Sequence, residues 1–206
     1  MTSGLAPRNR PVSEAKRVAF ALLKEELGEP EPPPGPRLEG FGGFLARATG
    51  SFFGVGFLPM APGTWGSLAA LVIFVLYRHF QLDNRGFVSL LLFLLFSLAS
   101  LIVGGFAERA AGERDPKWFV LDEMAGVFLA LYGLAGYNFA FAGVAFLLFR
   151  LFDITKIVGI RWVEERLKGS VGILLDDLVA ASYANLPIRL GVVFLFVELG
   201  WIADSP

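Results

Sequence analysis

Residues Phe87–Phe106, FVSLLLFLLFSLASLIVGGF, form a run of twenty positions without a charged side chain. An α-helix of this length spans about 30 Å, at ~1.5 Å per residue, which matches the hydrocarbon thickness of a bilayer. Trp65–Tyr77 is a second apolar helix candidate, and Met124–Phe149 is a charge-free run of 26 residues. A weaker candidate, Leu190–Ala203, is interrupted by Glu198. The sequence therefore predicts an all-α integral membrane bundle of several hydrophobic helices.

The composition of the whole chain agrees with this prediction. Hydrophobic residues make up 55% of the 206 residues, a larger share than soluble domains usually have. The formal net charge of −1 does not indicate nucleic-acid binding. Cysteine is absent, which excludes thiolate metal sites and cysteine nucleophiles. The single histidine, His79, lies in a polar stretch, so a phosphatase that uses a phosphohistidine is not expected.

Residues 1–40 differ in kind from the rest of the chain. They are polar and contain no apolar segment long enough for a signal peptide. Val12–Gly28 has apolar residues at helical spacing, and the following segment PEPPPGP, residues 30–36, is typical of an extended polyproline linker. We therefore predict an N-terminal extension at residues 1–40, made of an amphipathic helix and a linker, and a membrane domain at residues 41–206.

Five carboxylates interrupt the apolar part of the chain at three places, and two of these places are adjacent pairs. The acids are Asp122, Glu123, Asp153, Asp176 and Asp177. Ionised carboxylates in apolar helices are costly, so they indicate either a function or a specific pairing. A salt bridge from Asp153 to Arg150 or Lys156, one helical turn away, could explain one isolated acid. A shared site for a hard cation explains all five acids better, and Mg²⁺ prefers such oxygen ligands.

Basic and glycine-rich segments lie close to these acids in the sequence. Cations beside acids are expected where a protein holds a phosphate together with its metal ion. The cations around and after Asp153 are Arg150, Lys156, Arg161 and Lys168. The segment Gly63–Gly66 suits the start of a helix with Thr64 as its N-cap, and the N–H groups there could bind a phosphate. These features predict metal-assisted attack of water on a phosphate ester.

The path of the charge-free run Met124–Phe149 decides whether the acids at its two ends can form one site. A single span over this run would place Asp122 and Asp153 on opposite faces of the membrane. A shared site requires the run to turn back, and Gly133–Asn138 is the only turn-like segment within it. We therefore expect a shallow or re-entrant helical hairpin that gathers the acids at one interface.

Three segments of this chain resemble the phosphatidylglycerophosphatase A family: GFLPMAPGTWGSLAAL, VLDEMAG and FRLFDITKIVGIRWVEERLKGSVGILLDDLVAASYA. The resemblance extends from about Phe41 to the C-terminus. It implies a Mg²⁺-dependent membrane phosphatase that converts phosphatidylglycerophosphate into phosphatidylglycerol during phospholipid biosynthesis. The acidic residues of the family correspond to Asp122, Glu123, Asp153, Asp176 and Asp177.

Together these observations predict the site and the setting of the enzyme. The five acids are the expected catalytic and Mg²⁺-binding residues. The expected substrate-binding residues are Thr64, Arg150, Lys156, Arg161 and Lys168. The substrate is a phospholipid within the bilayer, and we expect a multi-pass protein of the inner cell membrane with its site facing the cytoplasm. Two alternatives use the same acids: an ion-coupled transporter with intramembrane carboxylates, and a membrane scaffold without catalytic activity.

Overall fold

The computed structural model describes residues 35–80, 86–134, 139–156 and 170–198. Within these ranges the chain forms six α-helices and one 3-10 helix, and no β-strand occurs there. The predicted all-α class is therefore confirmed for this part of the chain. The helices are α1 (Gly40–Gly50), α2 (Pro62–His79), α3 (Phe87–Ala111), α4 (Leu121–Ala130), α5 (Phe139–Thr155) and α6 (Ser170–Glu198), with the 3-10 helix at Val55–Phe57.

Most of the predicted N-terminal extension lies outside the described residues. This includes the predicted amphipathic helix at Val12–Gly28. Helix α1 begins at Gly40, where the extension was expected to end. The division of the chain at residue 40 stays a prediction.

Helix α2 begins earlier than the sequence predicts. Pro62 occupies the start of the helix, where its fixed φ and missing N–H are well tolerated, and Ala61 is the N-cap residue. The prediction that Thr64 caps this helix is therefore wrong. Thr64 lies in the first turn instead, where its hydroxyl accepts a long hydrogen bond of 3.4 Å from Arg150 Nη2.

Helix α3 contains the apolar run with which the sequence prediction began. It is 25 residues long, because glycines with positive φ stand at both ends: Gly86 at φ 82° and Gly112 at φ 78°. By length and composition, two helical segments could cross a membrane: Phe87–Ala111, with a mean hydropathy of 2.6, and Ser170–Gly191, with 1.3. The second segment contains Asp176 and Asp177 and was not among the apolar candidates predicted from the sequence.

The run Met124–Phe149 is divided between two helices. Helix α4 ends at Ala130, and Gly133 adopts a left-handed φ of 77° shortly after it. Helix α5 begins at Phe139, so the described part of the predicted turn separates the two helices; residues 135–138 lie outside the described ranges. Because Glu123 of α4 and Arg150 of α5 line one cavity, the start of α4 lies beside the end of α5. The two helices therefore form a hairpin.

The short helix α4 lies at the centre of the fold. Eight of its ten residues are buried, and it packs against α2, α3, α5 and α6. The Phe128 ring stacks on Phe96 of α3 with centroids 5.5 Å apart, while Phe149 of α5 is fully buried beside α4. Polar residues in the first turn of α4 are thereby held inside the bundle, with helices on several sides.

Helix α6 is longer than the sequence predicts. It runs continuously from Ser170 to Glu198 with Pro187 inside it, so the apolar segment predicted to begin at Leu190 is the last part of α6 rather than a separate helix. Residues 199–206 lie outside the described ranges.

Candidate active site

Three carboxylates from two helices converge at the base of the site. Asp122 and Glu123 occupy the first turn of α4, and Asp177 lies near the start of α6. One carboxylate oxygen of each residue lies within 4.8 Å of those of the other two. Gly126 permits this close approach, because a Cβ atom there would lie 2.7 Å from the Phe149 ring and 3.3 Å from Asp177 Cβ.

The two remaining predicted acids lie beside this cluster. Asp153 of α5 is within hydrogen-bonding reach of Asp177, and its Oδ2 lies 2.7 Å from Arg150 Nη1. Asp176 forms an ion pair with Lys156, with 3.0 Å between Oδ2 and Nζ. The structure thus brings all five acids into one region. The salt bridge between Arg150 and Asp153, which the sequence analysis gave as an alternative reason for an acid at this position, is also present.

Burial disfavours the charged form of the α4 carboxylates. Asp122 is only 4% exposed, and this burial raises its pKa from 3.8 to about 6. Burial also raises the pKa of Glu123, and the nearby charge of Asp122 raises it further. Asp122 Oδ1 and Glu123 Oε2 are buried, and neither accepts a hydrogen bond from the residues that the structure describes. Two carboxylate oxygens are therefore buried here without a hydrogen-bond donor among the described residues.

This arrangement fits a hard cation. Two of the five acids are paired with Arg150 and Lys156, whereas Asp122, Glu123 and Asp177 surround one point with oxygen atoms. Oxygen ligands at such a point suit Mg²⁺, which combines a few carboxylates with water and phosphate oxygens. A divalent ion would also offset the charge of the buried oxygens that lack donors.

Arg150 joins the acidic cluster to the first turn of α2. Its Nη1 atom contacts Asp153 and donates to Ser67 Oγ at 3.2 Å, and its Nη2 atom donates to Thr64 Oγ1 at 3.4 Å. Its Nε atom is buried and has no acceptor within the described ranges. A guanidinium that is fixed on several sides and lines a cavity is suited to binding a phosphate.

A cavity of about 270 Å³ opens beside Arg150 and Glu123. This volume is many times the ~10–15 Å³ that a single water molecule needs. One wall is the start of α2, where the first backbone N–H groups have no partner within the helix and favour anions. The lining residues are Ala61, Pro62, Gly63, Thr64, Asp115, Pro116, Lys117, Phe119, Glu123 and Arg150. An anionic group that entered this cavity would lie next to the acidic cluster.

Three charged residues near the site were missed by the sequence prediction. Asp115 and Lys117 line the cavity from the loop between α3 and α4. Glu108 of α3 is 2% exposed, and its carboxylate accepts a hydrogen bond from the backbone N–H of Asp115. The available signal for Glu108 was its position two residues after the apolar run Phe87–Phe106, as a further acid at the end of a hydrophobic segment.

Only some of the predicted substrate-binding residues line the cavity. Thr64 and Arg150 line the cavity. Lys156 is not among the lining residues and is paired with Asp176 instead. Arg161 and Lys168 lie in residues 157–169, which are outside the described ranges.

The sequence of this chain matches known proteins over most of the region that forms the fold. The family model of phosphatidylglycerophosphatase A matches residues 48–192, which include every acid of the site. A phosphatidylglycerophosphatase A from Haemophilus influenzae is 35% identical over 140 residues, which are 66% of this chain and 82% of the relative. The Escherichia coli phosphatidylglycerophosphatase A is 30% identical over 132 residues, or 62% of this chain and 72% of the relative.

One further relative carries a different name. A protein of Bacteroides thetaiotaomicron, provisionally named phosphatidylinositol-3-phosphatase, is 38% identical over 148 residues, which are 70% of this chain and 92% of the relative. No solved structure matches this chain. All three names refer to phosphatases that act on phospholipids.

Proposed function

Because the chain belongs to the phosphatidylglycerophosphatase A family, a family of phosphatases, we propose that it hydrolyses the terminal phosphate of phosphatidylglycerophosphate with Mg²⁺ as its cofactor. The product would be phosphatidylglycerol, so the protein would act in phospholipid biosynthesis. The observation that carries this proposal is the cavity in which Arg150 and the start of α2 face the acidic cluster. Metal-assisted hydrolysis of a phosphate ester uses this combination of anion donors and carboxylates that can hold a metal ion.

We assign the cation to Asp122, Glu123 and Asp177, whose oxygens lie within 4.8 Å of one another. When bound, Mg²⁺ would stabilise developing negative charge on the phosphate and make water more acidic. Asp153 and Asp176 would act around this group, since Asp153 holds Arg150 and Asp176 holds Lys156. Three of the five acids would then bind the ion, and the other two would orient the basic side chains.

The substrate phosphate would bind between Arg150 and the first turn of α2. The Arg150 guanidinium and the backbone N–H groups near Thr64 provide the donors, and Asp153 and Ser67 keep the guanidinium in place. Water attacks phosphorus, the bond to the glycerol oxygen breaks, and this oxygen leaves as the alcohol with a proton that derives from the water. Arg150 would offset the charge that develops on the phosphoryl oxygens.

We also propose that the protein spans the inner membrane several times and that the site faces the cytoplasm. This is supported by the two long apolar segments and by many large apolar side chains that the fold leaves exposed. Exposed side chains on α3 include Leu91, Leu94, Leu95, Leu98, Leu101 and Ile102. Since lipid tails can cover such a surface, the substrate could present its headgroup to the cavity while its acyl chains stay in the bilayer.

A second lipid substrate is suggested by the name of the Bacteroides relative. Phosphatidylinositol-3-phosphate also carries a phosphate monoester on a polyol headgroup. The start of α2 and Arg150 would contact only the phosphate, so they do not distinguish between the two polyols. Other walls of the cavity would determine the choice of substrate.

The test is release of phosphate by the purified full-length protein in mixed micelles. Phosphatidylglycerophosphate and phosphatidylinositol-3-phosphate would be supplied separately, with Mg²⁺ and after its removal by a chelator. We expect Mg²⁺-dependent release with a preference for phosphatidylglycerophosphate. A transporter or a scaffold would release phosphate from neither lipid, and that result would overturn the proposal. Equal rates with and without Mg²⁺ would overturn the cofactor assignment alone.

A further inference from the structure

The cavity contains two cationic side chains at different depths. Arg150 lies at the inner end beside the acids, where its side chain is 13% exposed. Lys117 lines the same cavity but is exposed to solvent, so it belongs to the outer part. Within the described ranges the Lys117 ammonium forms no salt bridge, whereas Arg150 and Lys156 are both paired with acids. Among the residues that the structure describes, a cation without a salt bridge therefore lies at the mouth of the cavity.

The loop that carries Lys117 is held firmly by its neighbours. The Val120 N–H donates to the Gly50 carbonyl at 3.0 Å, and Pro116 is fully buried. Gly56 packs directly against the Trp118 carbonyl, where a Cβ atom would clash. These contacts fix the backbone on both sides of Lys117, so the position of the lysine follows from the packing of the fold.

The residue two positions before Lys117 is also constrained. Asp115 adopts a left-handed φ of 46°, a conformation that is unfavourable for most residues other than glycine and that aspartate tolerates better than most. Its backbone N–H is held by the buried carboxylate of Glu108. Such strain persists only where the surroundings impose it, and it is most common next to functional sites. Helix α3 thus maintains the bend that brings Lys117 to the cavity.

We infer that Lys117 forms a second anion subsite, which binds the phosphodiester of the lipid while Arg150 binds the terminal phosphate. This inference rests on the proposed function, because phosphatidylglycerophosphate has a phosphodiester on the far side of the glycerol from its scissile phosphate. A lysine ammonium suits the single charge of a diester, for which the paired N–H groups of arginine are not needed. Asp115 at the same cavity reduces the net positive charge, so binding depends on direct contact with Lys117.

The subsite would also give specificity. A phosphate monoester without a neighbouring diester could reach Arg150 but would leave Lys117 without a ligand. The enzyme would therefore favour lipids in which a phosphodiester and a phosphate monoester are separated by a short polyol. Inorganic phosphate, which has no diester, would occupy the inner subsite alone.

The test compares Lys117→Gln, Lys117→Arg and the unaltered protein, with Arg189→Gln as a control. Arg189 also carries one positive charge, but it lies beside Tyr132 near the other end of α4. The measured quantities are KM and kcat for phosphatidylglycerophosphate and the inhibition constant of inorganic phosphate. We expect Lys117→Gln to raise KM roughly tenfold, as for the loss of one charge-assisted hydrogen bond, and to change kcat by less than about twofold. Lys117→Arg and Arg189→Gln should stay close to the unaltered protein.

The inhibition constant of inorganic phosphate separates the two subsites. It should be the same in Lys117→Gln and in the unaltered protein. If it rises by the same factor as KM, then Lys117 contacts the scissile phosphate and the second subsite is overturned. An unchanged KM, or an equal loss in Lys117→Arg and Lys117→Gln, would also overturn it. By contrast, an unaltered protein that releases no phosphate from phosphatidylglycerophosphate would overturn the proposed function itself, and this inference with it.

Discussion

The carboxylate of Glu123 lies directly against the backbone of Gly63, so that no Cβ atom fits at residue 63. An added Cβ would overlap Glu123 Oε1, and it would lie 3.1 Å from Glu123 Cδ and 3.4 Å from Arg150 Nη2. This one contact joins the start of α2, the start of α4 and the end of α5. Gly63 lies in the first turn of α2. Glycine is needed there because Glu123 occupies the space that a side chain would fill, and not only because glycine makes the backbone flexible.

The first prediction follows from this contact. Gly63→Ala should reduce turnover by roughly 30-fold or more, because Glu123 or Arg150 must move away from its position, and small displacements of such groups are costly. Gly143→Ala is the matched control, since Gly143 is also helical and a Cβ there meets no atom within 4 Å. That control should be as active as the unaltered protein and slightly more stable, because alanine favours helix. Normal turnover in Gly63→Ala would contradict the assigned role of the contact.

The second prediction concerns the acids. Asp122→Asn, Glu123→Gln and Asp177→Asn should each lower kcat by about 100-fold or more, because the amide preserves the shape but removes a charged ligand. Glu39→Gln is the control, since Glu39 is exposed and its side chain does not cap α1. Near-normal Mg²⁺-dependent turnover in all three variants would exclude the cluster as the metal site. Circular dichroism of each variant would show that the fold is retained.

The sequence was sufficient to predict the helices and the group of acids, for a physical reason. Charge-free runs must be covered by other apolar groups, so their lengths indicated the helices, and buried acids such as Asp122 were conspicuous against them. The turn after α4 could also be predicted, because acids at both ends of Met124–Phe149 could share a site only if the chain turned back. The structure has the two helices that this turn requires, with Gly133 after the first.

Other features could not be predicted because they depend on contacts between distant segments. Lys117 lies in a polar loop, and its sequence surroundings are those of any solvent-exposed lysine. Contacts of its loop with Gly50 and Gly56, which are distant in the sequence, bring it to the cavity. Thr64 was predicted as an N-cap from its residue type, but Pro62 moved the start of the helix toward the N-terminus. The continuity of α6 past Pro187 was likewise hidden, since a proline normally suggests a helix end.

The third prediction concerns pH and Mg²⁺. The pKa of Asp122 rises from 3.8 in the unfolded chain to about 6 in the folded one, so without metal the folded state retains a proton that the unfolded state has lost. The stability that this group contributes is complete below pH 3.8 and is lost as the pH rises through about 6. Mg²⁺ binds the ionised form, so it should offset this loss mainly above pH 6.

Thermal unfolding in detergent, with and without Mg²⁺, would measure this effect. We expect Mg²⁺ to raise Tm by roughly 5 °C at pH 7.5 and by much less at pH 5.5. Asp122→Asn should lose the Mg²⁺ effect at pH 7.5, while Glu39→Gln should keep it. An equal rise in Tm at both pH values would show that ionisation of the cluster is not linked to metal binding.

The last prediction tests whether the site is assembled at one face of the membrane. The hairpin of α4 and α5 brings the loop before α4 and the end of α5 to the same end of the fold, beside the cavity. Cysteines can be introduced one at a time, because the chain has none of its own. Glu113 and Thr155 are suitable positions, since both are exposed and neither lines the cavity.

Both Glu113→Cys and Thr155→Cys should react with an impermeant thiol reagent from the cytoplasmic side only. Labelling of residues 113 and 155 from opposite sides would place Asp122 and Asp153 on different faces of the membrane. In that case Asp153 and Arg150 could not lie beside Asp122, Glu123 and Asp177, and the proposed site would be excluded.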